Sequence, residues 1–192
     1  MSKFLIVGLG NAGTEYEGTR HNIGFDVANM FVHKHNGSFK VNRYAGVARI
    51  RLRSKPVICI VPTTFMNLSG KAVKYWLTKE EIQIVNLLVI VDDIAIPINR
   101  LRLRPDGSAG GHNGLTSIQQ ELGTGDYARL RFGIGNNYPK GMQSEFVLGK
   151  WSKSEIPLIK QKIEKSVEAI ESFILSGVEQ TMNLYNNLEI TA

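Results

Sequence analysis

Cysteine is nearly missing from this chain: Cys59 is the single one among 192 residues. One thiol excludes an internal disulfide and a cysteine-ligated metal cluster, and it fits a reducing compartment. Its setting, Val57-Ile58-Cys59-Ile60-Val61, predicts a buried strand, so a core role is expected in place of a nucleophile. No run of about 18 apolar residues is present, which excludes a bilayer-spanning helix. The amino terminus lacks a secretory pattern, because one lysine precedes a short apolar run that Gly8 interrupts. A cytoplasmic protein without membrane association is expected. Acidic residues are absent from Val27 to Lys79, where the average density predicts about five, while ten Lys or Arg stand there. With a net charge of +6, this skew favours a polyanionic partner.

Hydrophobic content of 43% and charged content of 21% are those of a globular protein, and the length suits one domain spanning residues 1–192. The sequence contains no internal repeat, low-complexity stretch or linker. Polar and reactive side chains are densest in Gly8 to Gly24, which follows the apolar run Phe4-Leu5-Ile6-Val7 and contains Asn11, Tyr16, Arg20, His21 and Asn22. Glycines at 8, 10 and 13 are expected to leave the backbone bare, so that a ligand can reach main-chain amides.

Apolar residues at helical spacing predict a helix from about Asn22 to His35, with His33 and His35 solvated. Alternation predicts a strand over 44–53, a second over 57–61, and a helix ending near Thr78. Further strands are expected at Leu87–Val91, at Ile98–Leu103 with Arg100, Arg102 and Arg104 on one face, and at Arg129–Phe132. A helix is expected around Leu115–Leu122, and residues 136–148 read as a polar loop able to cover the site. Ser152 and Glu155 have capping-box spacing before a long helix whose buried stripe is Ile156, Ile159, Ile163, Val167, Ile170 and Ile174. Gly177 ends it, and a short helix follows over 178–187. Interleaved strands and helices give an α/β class: a mixed β-sheet surrounded by helices, in which the 44–61 hairpin supplies antiparallel pairing.

Four junctions carry the polar residues: Asn11 with His21, Asn67, Asp92, and Asn113. If the parallel strands share a direction, the strand ends near 8, 62 and 92 fall along one edge of the sheet, and separate loops converge on one cleft. Histidine removes protons near neutral pH, and a carboxylate on its other nitrogen fixes the tautomer, so His21 and Asp92 are the candidate pair. No serine stands in a nucleophile elbow, which leaves water as the nucleophile, with asparagine amides to hold a carbonyl and its developing oxyanion. Each asparagine also has a plain alternative as a helix or turn cap. No H-E-x-x-H motif is present, so no metal and no cofactor are expected. Gly8-Leu9-Gly10-Asn11-Ala12-Gly13 matches G-x-G-x-x-G and raises a dinucleotide oxidoreductase, but no helical pattern begins inside it and no ribose-binding acid follows.

The ordered motifs Gly8-Leu9-Gly10-Asn11, Thr19-Arg20-His21-Asn22, Pro62-Thr63-Thr64-Phe65-Met66-Asn67-Leu68-Ser69-Gly70, Asp92-Asp93, Gly110-Gly111-His112-Asn113-Gly114 and Arg129-Leu130-Arg131 resemble those of the bacterial peptidyl-tRNA hydrolases. The likeness covers nearly the whole chain. It implies a monomeric esterase that frees tRNA from peptides, with His21 as the catalytic histidine, Asp92 as its acidic partner, and Asn11 as a third catalytic group. Tyr16, Met66, Asn67, His112 and Asn113 match substrate-binding positions. Arg104 and Arg131 fall where the family clamps the tRNA 5′ phosphate. The implied partner is peptidyl-tRNA, met at its acceptor end, with no obligate protein partner. Ala12, Ala95 and Arg104 stand where proline, an acid and lysine are usual. A relative that binds RNA without hydrolysing it is a third class, against which retention of the presumed catalytic residues argues.

Overall fold

The computed structural model describes residues 2–192. Seven strands form one sheet: β1 (Phe4–Gly8), β2 (Lys40–Asn42), β3 (Ala45–Leu52), β4 (Lys55–Pro62), β5 (Leu87–Asp93), β6 (Leu101–Arg104) and β7 (Ala128–Gly133). Their order is β2-β3-β4-β1-β5-β7-β6. β4, β1, β5 and β7 run parallel, as expected of apolar strands separated by helical crossovers. The hairpin of β3 and β4 adds antiparallel pairing at one side. β2 also pairs antiparallel with β3, and a third antiparallel pair, β6 with β7, closes the other side and is not legible from alternation alone.

The described residues form six α-helices: α1 (Ile23–Lys34), α2 (Ser69–Lys79), α3 (Asn113–Leu122), α4 (Gln143–Val147), α5 (Ile156–Ser176) and α6 (Val178–Tyr185). α1, α5 and α6 pack on one face around Ile6, Phe31, Ile90, Phe132 and Ile170. α2 and α3 pack on the other around Val7, Ile60, Trp76, Val89 and Ile118. On this second face β7 and β6 present arginines: Arg102 stands opposite Arg131 and Arg104 opposite Arg129.

Several expectations change. Two glycines of the first loop serve helix packing: a Cβ on Gly8 would lie 2.1 Å from the Gly24 carbonyl oxygen, and one on Gly10 2.8 Å from the Phe25 ring, while Gly13, at φ 123°, supplies the turn. Two amides there are spent within the protein, Leu9 N–H on Ile90 O and Asn11 N–H on Asn22 Oδ1. His35 is not solvated, since its Nε2 meets Glu171 at 3.0 Å and its ring packs on Phe31. Strand β6 starts only at Leu101, because a turn closed by Arg100 N–H on Pro97 O precedes it, and the Arg100 guanidinium pairs with Glu189. Residues 136–148 are not all loop, for they contain α4. The capping box of Ser152 and Glu155 forms, but Ile156 lies outside the buried stripe and is exposed.

Candidate active site

The carboxyl ends of β1, β4 and β5 and the start of α3 bring chain-distant side chains together. His21 sits in a 3-10 turn over Arg20–Asn22 that leads into α1. Asp92 is the penultimate residue of β5 and is buried. His21 Nδ1 lies 2.9 Å from both Asp92 carboxylate oxygens. His112 Nε2 lies 2.9 Å from Asp92 Oδ1, so two imidazoles share one carboxylate, with ring centroids 5.0 Å apart. Burial by itself would raise the Asp92 carboxyl, but the rings of His112 and His21 prevail and hold it well below the usual carboxylate range.

Asn11 is oriented on two sides. Its main chain is gripped by the buried Asn22, which accepts from its N–H and donates to its carbonyl, each at 2.9 Å. Its side-chain oxygen accepts the Met66 N–H at 2.9 Å, which joins the β1 loop to the β4 loop. With Oδ1 spent, the carboxamide has its NH₂ left to donate. Asn22 is a positioning residue to which the sequence assigned no role.

Two adjoining cavities meet at His21. One, of about 130 Å³, is lined by Asp92, Asp93, His112, Asn113, Arg131 and Gln143 among others. The other, of about 450 Å³, is lined by Asn11, Phe65, Met66, Asn67, Asn113 and Leu148. His21, Asn113, Ser144 and Val147 border both, so α4 roofs the junction. Sequence pattern gave no role to Ser144 or Val147, because a short polar helix carries no periodicity to mark it. Tyr16 ends a 3-10 turn beside this region, half-buried, and lines neither cavity. Arg131 lines the smaller cavity, with one guanidinium nitrogen on Asp93 at 3.1 Å and another on Ser108 O. Arg104 is exposed further along the same sheet face and outside both cavities. Cys59 is buried in β4, where burial pushes its thiol up, and takes no part.

His21, Asp92 and His112 place three ligand-type atoms within 4.8 Å of one another. Both imidazole nitrogens in that set already meet the carboxylate in hydrogen bonds, which makes the cluster a proton-handling unit more readily than a metal centre.

A profile of the family described as Peptidyl-tRNA hydrolase matches residues 5–192. The chain belongs to the peptidyl-tRNA hydrolase family. It is 52% identical over 185 residues to the peptidyl-tRNA hydrolase of Parabacteroides distasonis, covering 96% of this chain and 99% of that one. It is 48% identical to that of Porphyromonas gingivalis, over 96% of this chain and the whole of the other. The crystal structure of the peptidyl-tRNA hydrolase from Acinetobacter baumannii superimposes with a TM-score of 0.91 at 32% identity, covering 97% of this chain and 95% of that one. The family resemblance of the motifs and the mixed-sheet α/β fold therefore both stand.

Proposed function

We propose that this chain hydrolyses the ester between a peptidyl carbonyl and the 3′ ribose of tRNA, with His21 as general base. The observation that carries this reading is the His21–Asp92 contact. Nδ1 is spent on a buried carboxylate, so Nε2 is the nitrogen left for the two cavities that His21 borders. A water beside Nε2 gives up its proton as its oxygen attacks the ester carbonyl. Asp92 stabilises the imidazolium that forms.

The Asn11 NH₂ and the exposed carboxamides of Asn67 and Asn113 stand at the rim to donate to the carbonyl oxygen as charge develops. Collapse of the tetrahedral intermediate expels the ribose oxygen, which takes the proton back from His21. Tyr16 and Met66 serve substrate binding near the terminal adenosine, and Arg104 with Arg131 grips the 5′ phosphate. Residues 1–192 work as a single hydrolase domain and a monomer, in the cytoplasm, where translation makes the substrate. Among the described residues no helix is long and apolar enough to cross a membrane.

Incubation with N-blocked aminoacyl-tRNA, with and without a chelator, tests the reading. Free tRNA should appear at equal rates in both. An ester that stays intact while RNA is retained would assign the chain to the binding-only class, and an absorbing cofactor that copurifies would revive the oxidoreductase.

A further inference from the structure

His112 has both ring nitrogens committed inside the protein. It is the N-cap of α3, and its Nδ1 faces the backbone N–H groups of Gly114 at 3.1 Å and Leu115 at 3.4 Å. A backbone N–H only donates, so Nδ1 must offer a lone pair. On the other edge of the ring, Nε2 faces Asp92 Oδ1, and that carboxylate is held ionised. Nε2 must therefore carry the proton. A proton on Nδ1 would meet two N–H groups head-on.

The same logic gives His21 the opposite tautomer. Its Nδ1 meets the Asp92 oxygens and so bears the hydrogen. One buried carboxylate thus receives two N–H donors, from Nδ1 of one histidine and Nε2 of the other. Donation runs from the amides of α3 to His112 and from His112 to Asp92, which accepts the His21 N–H from its other side. Asn113 is the first residue of α3, directly after the cap, so the ring that turns Asp92 also seats that carboxamide. Gly114 admits the ring: a Cβ there would lie 3.2 Å from His112 Cε1 and 2.7 Å from Leu9 and Met66.

We infer that His112 is a positioning residue, fixed as the Nε2–H tautomer, which holds Asp92 in register with His21 and locks the N-terminus of α3 beneath Asn113. It takes no proton from water and offers no nitrogen to the substrate. The tautomer also removes His112 from any metal-ligand set, because an Nε2 lone pair would require the excluded proton on Nδ1. The kinetic half of this inference rests on the hydrolase reading, whereas the tautomer does not.

Nitrogen-15 histidine spectra of the resting wild-type protein at neutral pH test the tautomer without substrate. His112 should show a protonated Nε2 and an unprotonated Nδ1, and His21 the reverse. A His112 signal with Nδ1 protonated overturns the inference whether or not the chain is a hydrolase. For the kinetic half, His112→Asn supplies a good helix cap but cannot reach Asp92. It should melt near the wild-type temperature, keep KM within about twofold and lose about 10- to 100-fold in kcat, the scale that holds for outer hydrogen-bond partners of metal-bound histidines and is carried over here to the partner of Asp92. An unchanged kcat in His112→Asn would reduce the residue to a cap and overturn the positioning role. A raised KM with unchanged kcat would overturn it too, in favour of direct substrate contact.

Discussion

The Arg20 guanidinium meets the Glu155 carboxylate at 3.1 and 3.3 Å across 135 residues of chain. Between them the same guanidinium lies 4.4 Å from the Phe146 ring centroid and 5.0 Å from that of Trp151, and donates to the carbonyls of Phe146 and Lys150. Arg20 N–H adds a bond to Gly149 O, and Thr19 bridges Lys150. The residue directly before His21 thereby straps down the segment that follows α4, the helix whose Ser144 and Val147 roof both cavities.

Loss of that strap should loosen the roof before it touches the chemistry. Arg20→Lys keeps a charge for Glu155 but gives up the planar fork and the stacking. Its amides over 143–150 should exchange faster with solvent, KM should rise, and kcat should fall less than KM rises. Arg20→Ala also strands Glu155 and should cost about 2–3 kcal/mol of stability, the scale of charge-assisted bonds plus a cation–π contact. Hydrogen exchange by mass spectrometry with parallel kinetics checks this, and unaltered exchange over 143–150 in Arg20→Lys would refute the strap.

His21→Ala should lower kcat by at least about 10²-fold with the fold intact, because the other titratable groups that line the smaller cavity are committed elsewhere, Asp93 to Arg131, and Asp92 and His112 to each other. Asp92→Asn should do nearly as much. A carboxamide oxygen at the Oδ1 position can accept from both rings, but the NH₂ in place of Oδ2 then faces His21 Nδ1, so His21 loses its fixed tautomer. Single-turnover hydrolysis at saturating substrate measures both, and a variant at either position that turns over like wild type would contradict the base assignment.

How much of this was legible in the sequence depended on periodicity. Apolar runs such as Leu5-Ile6-Val7 and Leu87–Val91, and the stripe of α5, announce themselves because burial on a sheet or helix face has a fixed repeat. The motif residues His21, Asp92, Asn11 and Asn67 could be gathered because parallel strands end at one edge, and Asn113 through its motif alone. Contacts between unlike segments have no repeat to show. Arg129 looks solvent-facing by alternation, yet it is fully buried, because its guanidinium is spent on the carbonyls of Gly107 and Ser108 in the loop before α3 and of Gly125 in the loop after it. Asn22, Ser144 and the double commitment of His112 depend in the same way on partners far away in the chain.

The arginines of β6 and β7 make a separate prediction. Arg102, Arg104 and Arg131 share one sheet face beside the smaller cavity, and Arg102 is the direct neighbour of Arg131. If this row grips the 5′ phosphate, Arg104→Ala and Arg131→Ala should weaken full tRNA substrates far more than short ones without that phosphate, and Arg102→Ala should act in the same direction. Each phosphate that an arginine no longer neutralises should flatten the slope of log affinity against log salt by about 1. Titrations from low to high salt check this, and equal losses on both substrates would count against a clamp.

Lys162 tests whether a buried amine sets part of the pH dependence of stability. It is fully buried on α5, with Nζ donating to Ile98 O at 2.7 Å and to Gly133 O, 3.8 Å from the Phe132 ring centroid. Burial pushes its pKa down to about 6. A neutral amine has two hydrogens and finds two carbonyls, so the uncharged form is satisfied. In the unfolded chain the amine titrates near 10.4. Between about pH 6 and pH 10 the unfolded state therefore binds more protons than the native state, and stability gains from rising pH by at most about 1.4 kcal/mol per unit. Below about 6 both states are charged and the contribution stops changing. Lys162→Met cannot titrate and leaves both carbonyls without their donor. The wild-type advantage in melting temperature over Lys162→Met should thus grow from pH 6 to pH 9.5, and thermal unfolding followed by circular dichroism at three or four pH values measures it. A gap that stays constant across that range would mean that the amine keeps its charge inside the fold.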